Sequence, residues 1–104
     1  MTDGGLEVRR LADDGVAFVG TLDLSTDSAA REALEPLVLR GASLTVDLSG
    51  LAFMDSTGLN VLAWALQGIG DEGTLTLRVG PGIVSRVLGV SGLADRPNVE
   101  VESG

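Results

Sequence analysis

The stretch LTVDLSGLAFMDSTGL, Leu44 to Leu59, decides the fold. Leu44 to Leu48 reads as a buried strand, and residues 49–55 read as a loop with an apolar centre, Leu51-Ala52-Phe53-Met54. From Ser56 to about Ile69 the spacing predicts a helix. Leu59, Leu62, Leu66 and Ile69 share one face, with Val61 and Ala65 beside them. Gly68, Gly70 and Gly73, with Asp71, end it. A strand, a short connection and a helix in this order place the pair Asp55-Ser56 at a helix start.

Outward from that unit the same elements repeat. Leu6 to Leu11 and Val16 to Leu22 read as two strands joined at the turn signal Asp13-Asp14-Gly15, a hairpin. Ser25 and Thr26 are N-cap candidates for a helix to about Arg40, closed by Gly41, with Ala30, Ala33, Leu34, Leu37 and Val38 on its apolar side. Pro36 within it predicts a kink or an early stop. Thr74 to Val79 reads as a strand. Pro81 opens a third helix to about Val90, with Ile83, Val84, Val87 and Leu88 as its apolar positions, and Ser91-Gly92-Leu93 closes it. Val99 to Val101 is a short last strand. The order ββαβαβαβ predicts an α/β domain, a mixed sheet with packed helices and right-handed crossovers between its parallel strands. The chain reads as a single domain over residues 1–104, with its core at about 6–102 and neither repeat nor linker.

Composition narrows the chemistry. The 104 residues are 44% hydrophobic but only 3% aromatic, so the core must be built from Leu, Val, Ala and Ile. There is no cysteine, hence no disulfide or thiolate metal site. The opening MTDGGLEVRR has no apolar stretch after a basic one, and no apolar run approaches the ~20 residues that span a bilayer. A cytoplasmic protein without membrane insertion is therefore expected. The net charge is −8 and the seven basic residues, all arginine, are scattered, which argues against a nucleic-acid partner.

Absent residue types exclude most catalysis. Without histidine there is no Ser-His-Asp triad, and without lysine no phosphate-loop lysine, Schiff base or Ser-Lys dyad. Only oxygen ligands remain for a metal. The GPG at 80–82 is a tight turn before a helix, and the carboxylate pairs Asp13-Asp14 and Asp71-Glu72 sit in turn-like stretches as solvated surface. The expectation is a protein with no catalytic residues, no cofactor and no metal.

The start of the second helix remains. Asp55 or Ser56 can be its N-cap and nothing more. Two features point further. The position falls at the carboxyl edge of the sheet, where sites of open α/β sheets lie, and DSTG supplies two hydroxyls where one cap suffices. At about 100° per residue, Thr57, Asn60, Trp64 and Gly68 lie along one side of this helix, off the core line. Two readings of Trp64 stand: it covers a neighbouring helix, or it anchors a partner. Asp23, after a strand and before a helix, suits a turn or a cap.

These residues also carry a resemblance. VDLSGLAFMDSTGL resembles the signature of the STAS domain, as found in bacterial anti-sigma factor antagonists. GTLD at Gly20 to Asp23 is similar to the family's second motif, and GTLTLRVGPGIVSRVLGVSGL to its strand, turn and third helix. The likeness runs from about residue 6 to 102 in matching order, with Asn60 standing where many relatives have glycine. The resemblance implies a substrate rather than an enzyme: an anti-sigma factor with serine kinase activity binds the unphosphorylated chain, so the sigma factor is released. It then phosphorylates the serine after the Asp, here Ser56, which ends binding until a phosphoserine phosphatase restores it. The resemblance points to Asp23 and Ser56, and the start and docking side of the second helix add Asp55, Thr57, Asn60 and Trp64, as the expected partner-binding positions. The alternatives are an unphosphorylated scaffold subunit of a transport complex, since the module is also used that way, and a nucleotide-binding module.

Overall fold

In the computed structural model, residues 2–3, 5–11, 14–41 and 43–103 are described, with only the backbone for residues 2 and 3; Asp13 of the predicted turn lies outside them. Six strands form one sheet: β1 (Thr2–Asp3), β2 (Leu6–Leu11), β3 (Gly15–Leu22), β4 (Leu44–Met54), β5 (Leu75–Val79) and β6 (Val99–Ser103). Three helices connect the later strands, α1 (Asp27–Val38), α2 (Ser56–Ile69) and α3 (Ile83–Ser91), with a 3₁₀ turn at Leu93–Asp95 before β6. The expected order is present, with the two-residue β1 added in front.

The strands lie in the sheet in sequence order. β1, β2 and β3 pair antiparallel, and β3 through β6 pair parallel. Three crossovers of one hand, all advancing in the same direction, put all three helices on one face. The other face stays open to water, so the parallel strands alternate in burial instead of being apolar throughout. Leu44, Val46 and Leu48 of β4 and Leu75, Leu77 and Val79 of β5 are buried, while Thr45, Asp47, Thr76 and Arg78 face out. Across that open face Asp47, Arg78 and Glu102 stand in register, and Arg78 Nε donates to Glu102 Oε1 at 3.1 Å.

β4 differs from its sequence reading. It does not stop at Leu48 but pairs with β3 as far as Met54, because two irregularities insert one extra residue each. Ala17 pairs with Asp47 but Val19 with Gly50, and Gly20 with Leu51 but Thr21 with Phe53. Each extra residue resets which side chains face inward. Burial therefore changes from every second residue to every third, at Leu48, Leu51 and Met54, and Ala52 and Phe53 are left outside. Gly20, opposite the second irregularity, has φ +110°, and a Cβ there would overlap the Gly5 carbonyl oxygen.

Helix boundaries follow local chemistry. Thr26 precedes α1 but does not cap it with its side chain. Its buried hydroxyl instead donates to Thr21 O at 2.9 Å and accepts from Asp23 N at 3.0 Å, fastening the end of β3 to the helix entry. Pro36 is accommodated in the last turn, and α1 ends two residues later, short of the expected Arg40. Arg40 pairs instead with Asp14 of the β2–β3 turn at 2.6 Å. α3 starts at Ile83, after Pro81, and buries Val84 and Leu88; Ile83, expected on its apolar side, is exposed.

Among the described residues the core is one cluster of 25 buried apolar residues in which Phe18 is the sole aromatic. Its densest helix contact is α1 against α2, where Trp64 is half-buried against the core and the Arg31 guanidinium lies 5.3 Å from its ring centroid. Gly58 sets the distance of α2 from the sheet. A Cβ there would overlap Met54 Cγ and stand 3.0 Å from its sulfur and 3.2 Å from Leu22 Cγ. No helix among the described residues is long and apolar enough to cross a membrane.

Two substitutions check this packing. Gly58→Ala adds helix propensity of about 1 kcal/mol but overfills a closed site, so a net loss of about 1–2 kcal/mol is expected. Thermal unfolding would show it as a midpoint lower by roughly 5–10 °C, and an unchanged midpoint would contradict the close approach. Trp64→Ala is expected to cost about 1–3 kcal/mol in urea unfolding, less than a fully buried tryptophan because the ring is half-exposed.

Candidate functional site

The site follows from how β3 and β4 end. Leu22 pairs with Met54, so Asp23 and Asp55 are the next residues of two adjacent parallel strands, about 4.8 Å apart where they leave the sheet. α2 begins immediately, and its first residue is Ser56. The elements thus bring Asp23, Asp55, Ser56 and Thr57 to the carboxyl edge of the sheet, as the sequence reading expected.

Each group there has a distinct role in the local hydrogen bonding. Asp55, with extended backbone (φ −116°, ψ −165°), is the N-cap, and its Oδ1 accepts from Thr57 N at 2.9 Å. Its carbonyl accepts from Leu59 N at 3.2 Å and closes the first turn. Capping is therefore done by the acid, and neither hydroxyl is needed for it. Asp23 folds its own loop: Oδ1 accepts from Ser25 N at 2.9 Å and from Ser25 Oγ at 2.7 Å. The Ser25 hydroxyl foremost holds the Asp23 carboxyl below its usual value against desolvation, and the Ser25 amide with the Thr26 hydroxyl and amide act in the same direction as that hydroxyl.

The hydroxyls at this edge are not equivalent. Thr26 is buried and doubly engaged. Ser25 donates to Asp23, and Ser49 donates to Asp47 Oδ1 at 2.6 Å. Thr57 is half-buried. Ser56 is exposed, and its hydroxyl has no hydrogen-bond partner among the described residues. It stands on the first helical residue, beside backbone N–H groups that the helix itself cannot pair and the positive end of the helix dipole.

Two residues of the expected side of α2 are placed differently. The exposed ridge is Ser56, Asn60, Ala63 and Gln67. Trp64 turns toward α1 beneath Arg31, and a Cβ on Gly68 would overlap Val38 of α1. The neighbouring helix accounts for the shift: α1 packs closely along this side of α2 and occupies it. Of the two readings of Trp64, covering a neighbouring helix is the one its contacts display.

Sequence reasoning missed the apolar residues around the edge. Leu24 is 77% exposed, Phe53 40% and Ile83 43%, and all three surround the ends of β3 and β4 and the start of α3. Leu24 carried a signal, an apolar residue between Asp23 and Ser25 in a turn; Phe53 read as part of the apolar centre of a loop and Ile83 as an apolar position of the third helix. The edge holds three carboxylates, Asp23, Asp27 and Asp55, and no arginine from β3, β4 or the first turn of α2. Among the described residues no group of three or more His, Cys, Asp or Glu is placed to hold a metal ion. The arrangement presents the Ser56 hydroxyl to a visiting enzyme, beside two acids that each use one carboxylate oxygen locally, Asp55 Oδ1 for the Thr57 amide and Asp23 Oδ1 for Ser25.

Comparison with known proteins is consistent with this geometry. The family model described as Mlab, STAS domain, matches residues 7–101. The chain is 30% identical over 92 residues to an anti-sigma-B factor antagonist of Bacillus subtilis (strain 168), covering 88% of this chain and 84% of that one. Its fold is similar to the crystal structure of an anti-sigma factor antagonist from Mycobacterium paratuberculosis, with a TM-score of 0.78 at 24% identity over 91% of this chain and 83% of the other. It is also similar to the anti-sigma factor antagonist SpoIIAA in its unphosphorylated form, with a TM-score of 0.70 at 20% identity over 92% and 86%. With its strand order, its β4–α2 junction and a family match over nearly its whole length, the chain belongs to the STAS domain family.

Proposed function

We propose that this protein is an anti-sigma factor antagonist, a binding protein and not an enzyme. In this reading its unphosphorylated form holds an anti-sigma factor with serine kinase activity, which releases the sigma factor. Phosphorylation of Ser56 ends that binding, and a phosphoserine phosphatase reverses it. The relatives named as antagonists support the role. The observation that carries the site is the position of Ser56: of the serines in first helical turns that are exposed and without a hydrogen-bond partner among the described residues, Ser28, Ser56 and Ser85, it alone is the first residue of its helix, directly after an N-cap acid that follows a strand.

The chemistry divides between the two proteins. The partner brings ATP and the base. Ser56 Oγ attacks the γ-phosphorus, its proton passes to the partner's base, the bond from the γ-phosphorus to the bridging oxygen breaks, and ADP leaves. This chain contributes position. The Asp55 cap and the Gly58 packing fix the first turn of α2, so Oγ is presented from a rigid element.

The phosphate adds about −1.5 to −2 charges and three acceptor oxygens. Helix-start amides and the dipole accommodate it, while Asp23 and Asp55 on the adjacent strand ends repel it. The fold therefore changes little and the contact surface changes much. An interface that must bury an unpaired dianion loses about 2–5 kcal/mol, an affinity change of roughly 30- to several-thousand-fold. A cytoplasmic setting follows from this role.

Two measurements test the reading. Incubation with the anti-sigma kinase of the source organism, ATP and magnesium is expected to add a single phosphate, which mass spectrometry would place on Ser56 and not on Ser25 or Thr57. Titration of that kinase is expected to show Ser56→Asp binding at least about 30-fold more weakly than the unmodified chain. Absence of phosphate on Ser56, together with equal affinities, would reject the switch.

A further inference from the structure

We infer that the exposed ridge of α2 and the groove beside it seat a helix of the partner protein, with an acidic side chain of that helix set over Arg96. The inference rests on the reading of Ser56 as the partner-facing hydroxyl and extends the contact surface away from it.

The first observation is a missing charge pattern. The 14 residues of α2 include no charged side chain, whereas the 12 residues of α1 include four, Asp27, Arg31, Glu32 and Glu35. Burial does not account for the difference, because Ser56, Asn60, Ala63 and Gln67 form a continuous exposed ridge. In a chain of net charge −8 with 21% charged residues, a helix face left in water without a charge has the composition of an interface centre, where charges are depleted.

The second observation is shape. Two adjoining depressions of about 350 and 360 Å³ run along this ridge on the side away from α1. Leu59, Leu66 and Leu93 lie in the floor, and Ala63 and Arg96 border both depressions. From Ser56 to Gln67 the ridge is about 16 Å long, close to three helical turns. A channel of that length between α2 and the corner after α3 has the form of a helix-binding groove.

The third observation is charge. Arg96 is exposed and makes no ion pair among the described residues, although Asp71 lines one of the same depressions. It is the single cation of a groove whose other polar walls are Asn60, Gln67, Ser91, Asn98 and, at one end, Asp71. The complementary occupant is a helix with small apolar side chains toward Ala63 and Leu59 and one carboxylate toward Arg96. Because the ridge begins at Ser56, such a helix would reach the hydroxyl and the groove in one continuous contact.

The test uses the full chain and the kinase that phosphorylates Ser56. Ala63→Glu places a charge in the middle of the ridge at an exposed position, so the fold is retained, which the thermal midpoint would check. Its affinity is expected to fall about 30-fold or more while Ala63→Ser binds as the unaltered chain does. Arg96→Glu is expected to weaken binding about tenfold and to reduce its salt dependence. The chain lacks cysteine, so Gln67→Cys gives a unique attachment point; a cross-link into a helical, acid-bearing segment of the kinase is expected, and one into a strand would overturn the proposal. Unchanged affinity of Ala63→Glu would overturn it too, even where Ser56→Asp still weakens binding and the switch stands. Loss of binding in Ala63→Glu with Ser56→Asp unaffected would uphold the groove and remove the switch. If sedimentation shows that the chain self-associates and that Ala63→Glu makes it monomeric, the occupant is a second copy and the proposal fails.

Discussion

The parallel pairing of β3 with β4 governs the rest of the molecule. Among the described residues it is the longest strand contact in the sheet and the only one that carries extra residues. Those two insertions let β4 reach Met54 in step with Leu22 while resetting its buried positions to Leu48, Leu51 and Met54. The carboxyl ends of the two strands therefore finish level. Were β4 to end at Leu48, the residues before α2 would form a free loop, and the position of Ser56 would be set by nothing in the sheet. Met54 contributes again from the other side, since it is the side chain on which the first turn of α2 settles at Gly58.

The open face of the sheet and the covered one divide the work of stability and recognition. One face buries nearly all the large apolar side chains beneath three helices; the other carries small and charged residues in register across strands, as in the row Asp47, Arg78 and Glu102. Recognition is left to the edge and to the helix layer, where apolar groups remain in water at Leu24, Phe53 and Ile83. The acids of that edge have structural duties of their own. Asp55 caps α2 and Asp23 folds the loop to Ser25, so their charges are held at fixed places beside the hydroxyl.

Much of this was legible from residue order alone. The apolar spacing of Leu62, Leu66 and Ile69 and the strand at Leu44 depend on local periodicity, and both are where periodicity placed them. The position of Asp55 and Ser56 followed from the same unit. What could not be read depended on partners distant in sequence. The irregularities of β4 exist only relative to β3, so residues 49–54 read as an apolar loop although they continue the strand, with Phe53 turned out. Trp64 lies off the core line of α2 as expected, but its direction is decided by α1 and Arg31. Ile83 fits an apolar helical stripe, yet α3 begins beyond the sheet's edge and leaves that position uncovered. Thr26 has the composition of a cap and spends its hydroxyl on β3 instead.

The seat of the lone indole has an optical consequence. The chain contains one tryptophan and no tyrosine, so its near-ultraviolet emission arises almost wholly from Trp64. That ring lies under the Arg31 guanidinium at the seam of α1 and α2, half shielded from water. The molecule thus carries an intrinsic fluorophore tuned to the parting of two helices and blind to the far side of α2, so that spectral shifts and events along the other flank can be told apart without any added label.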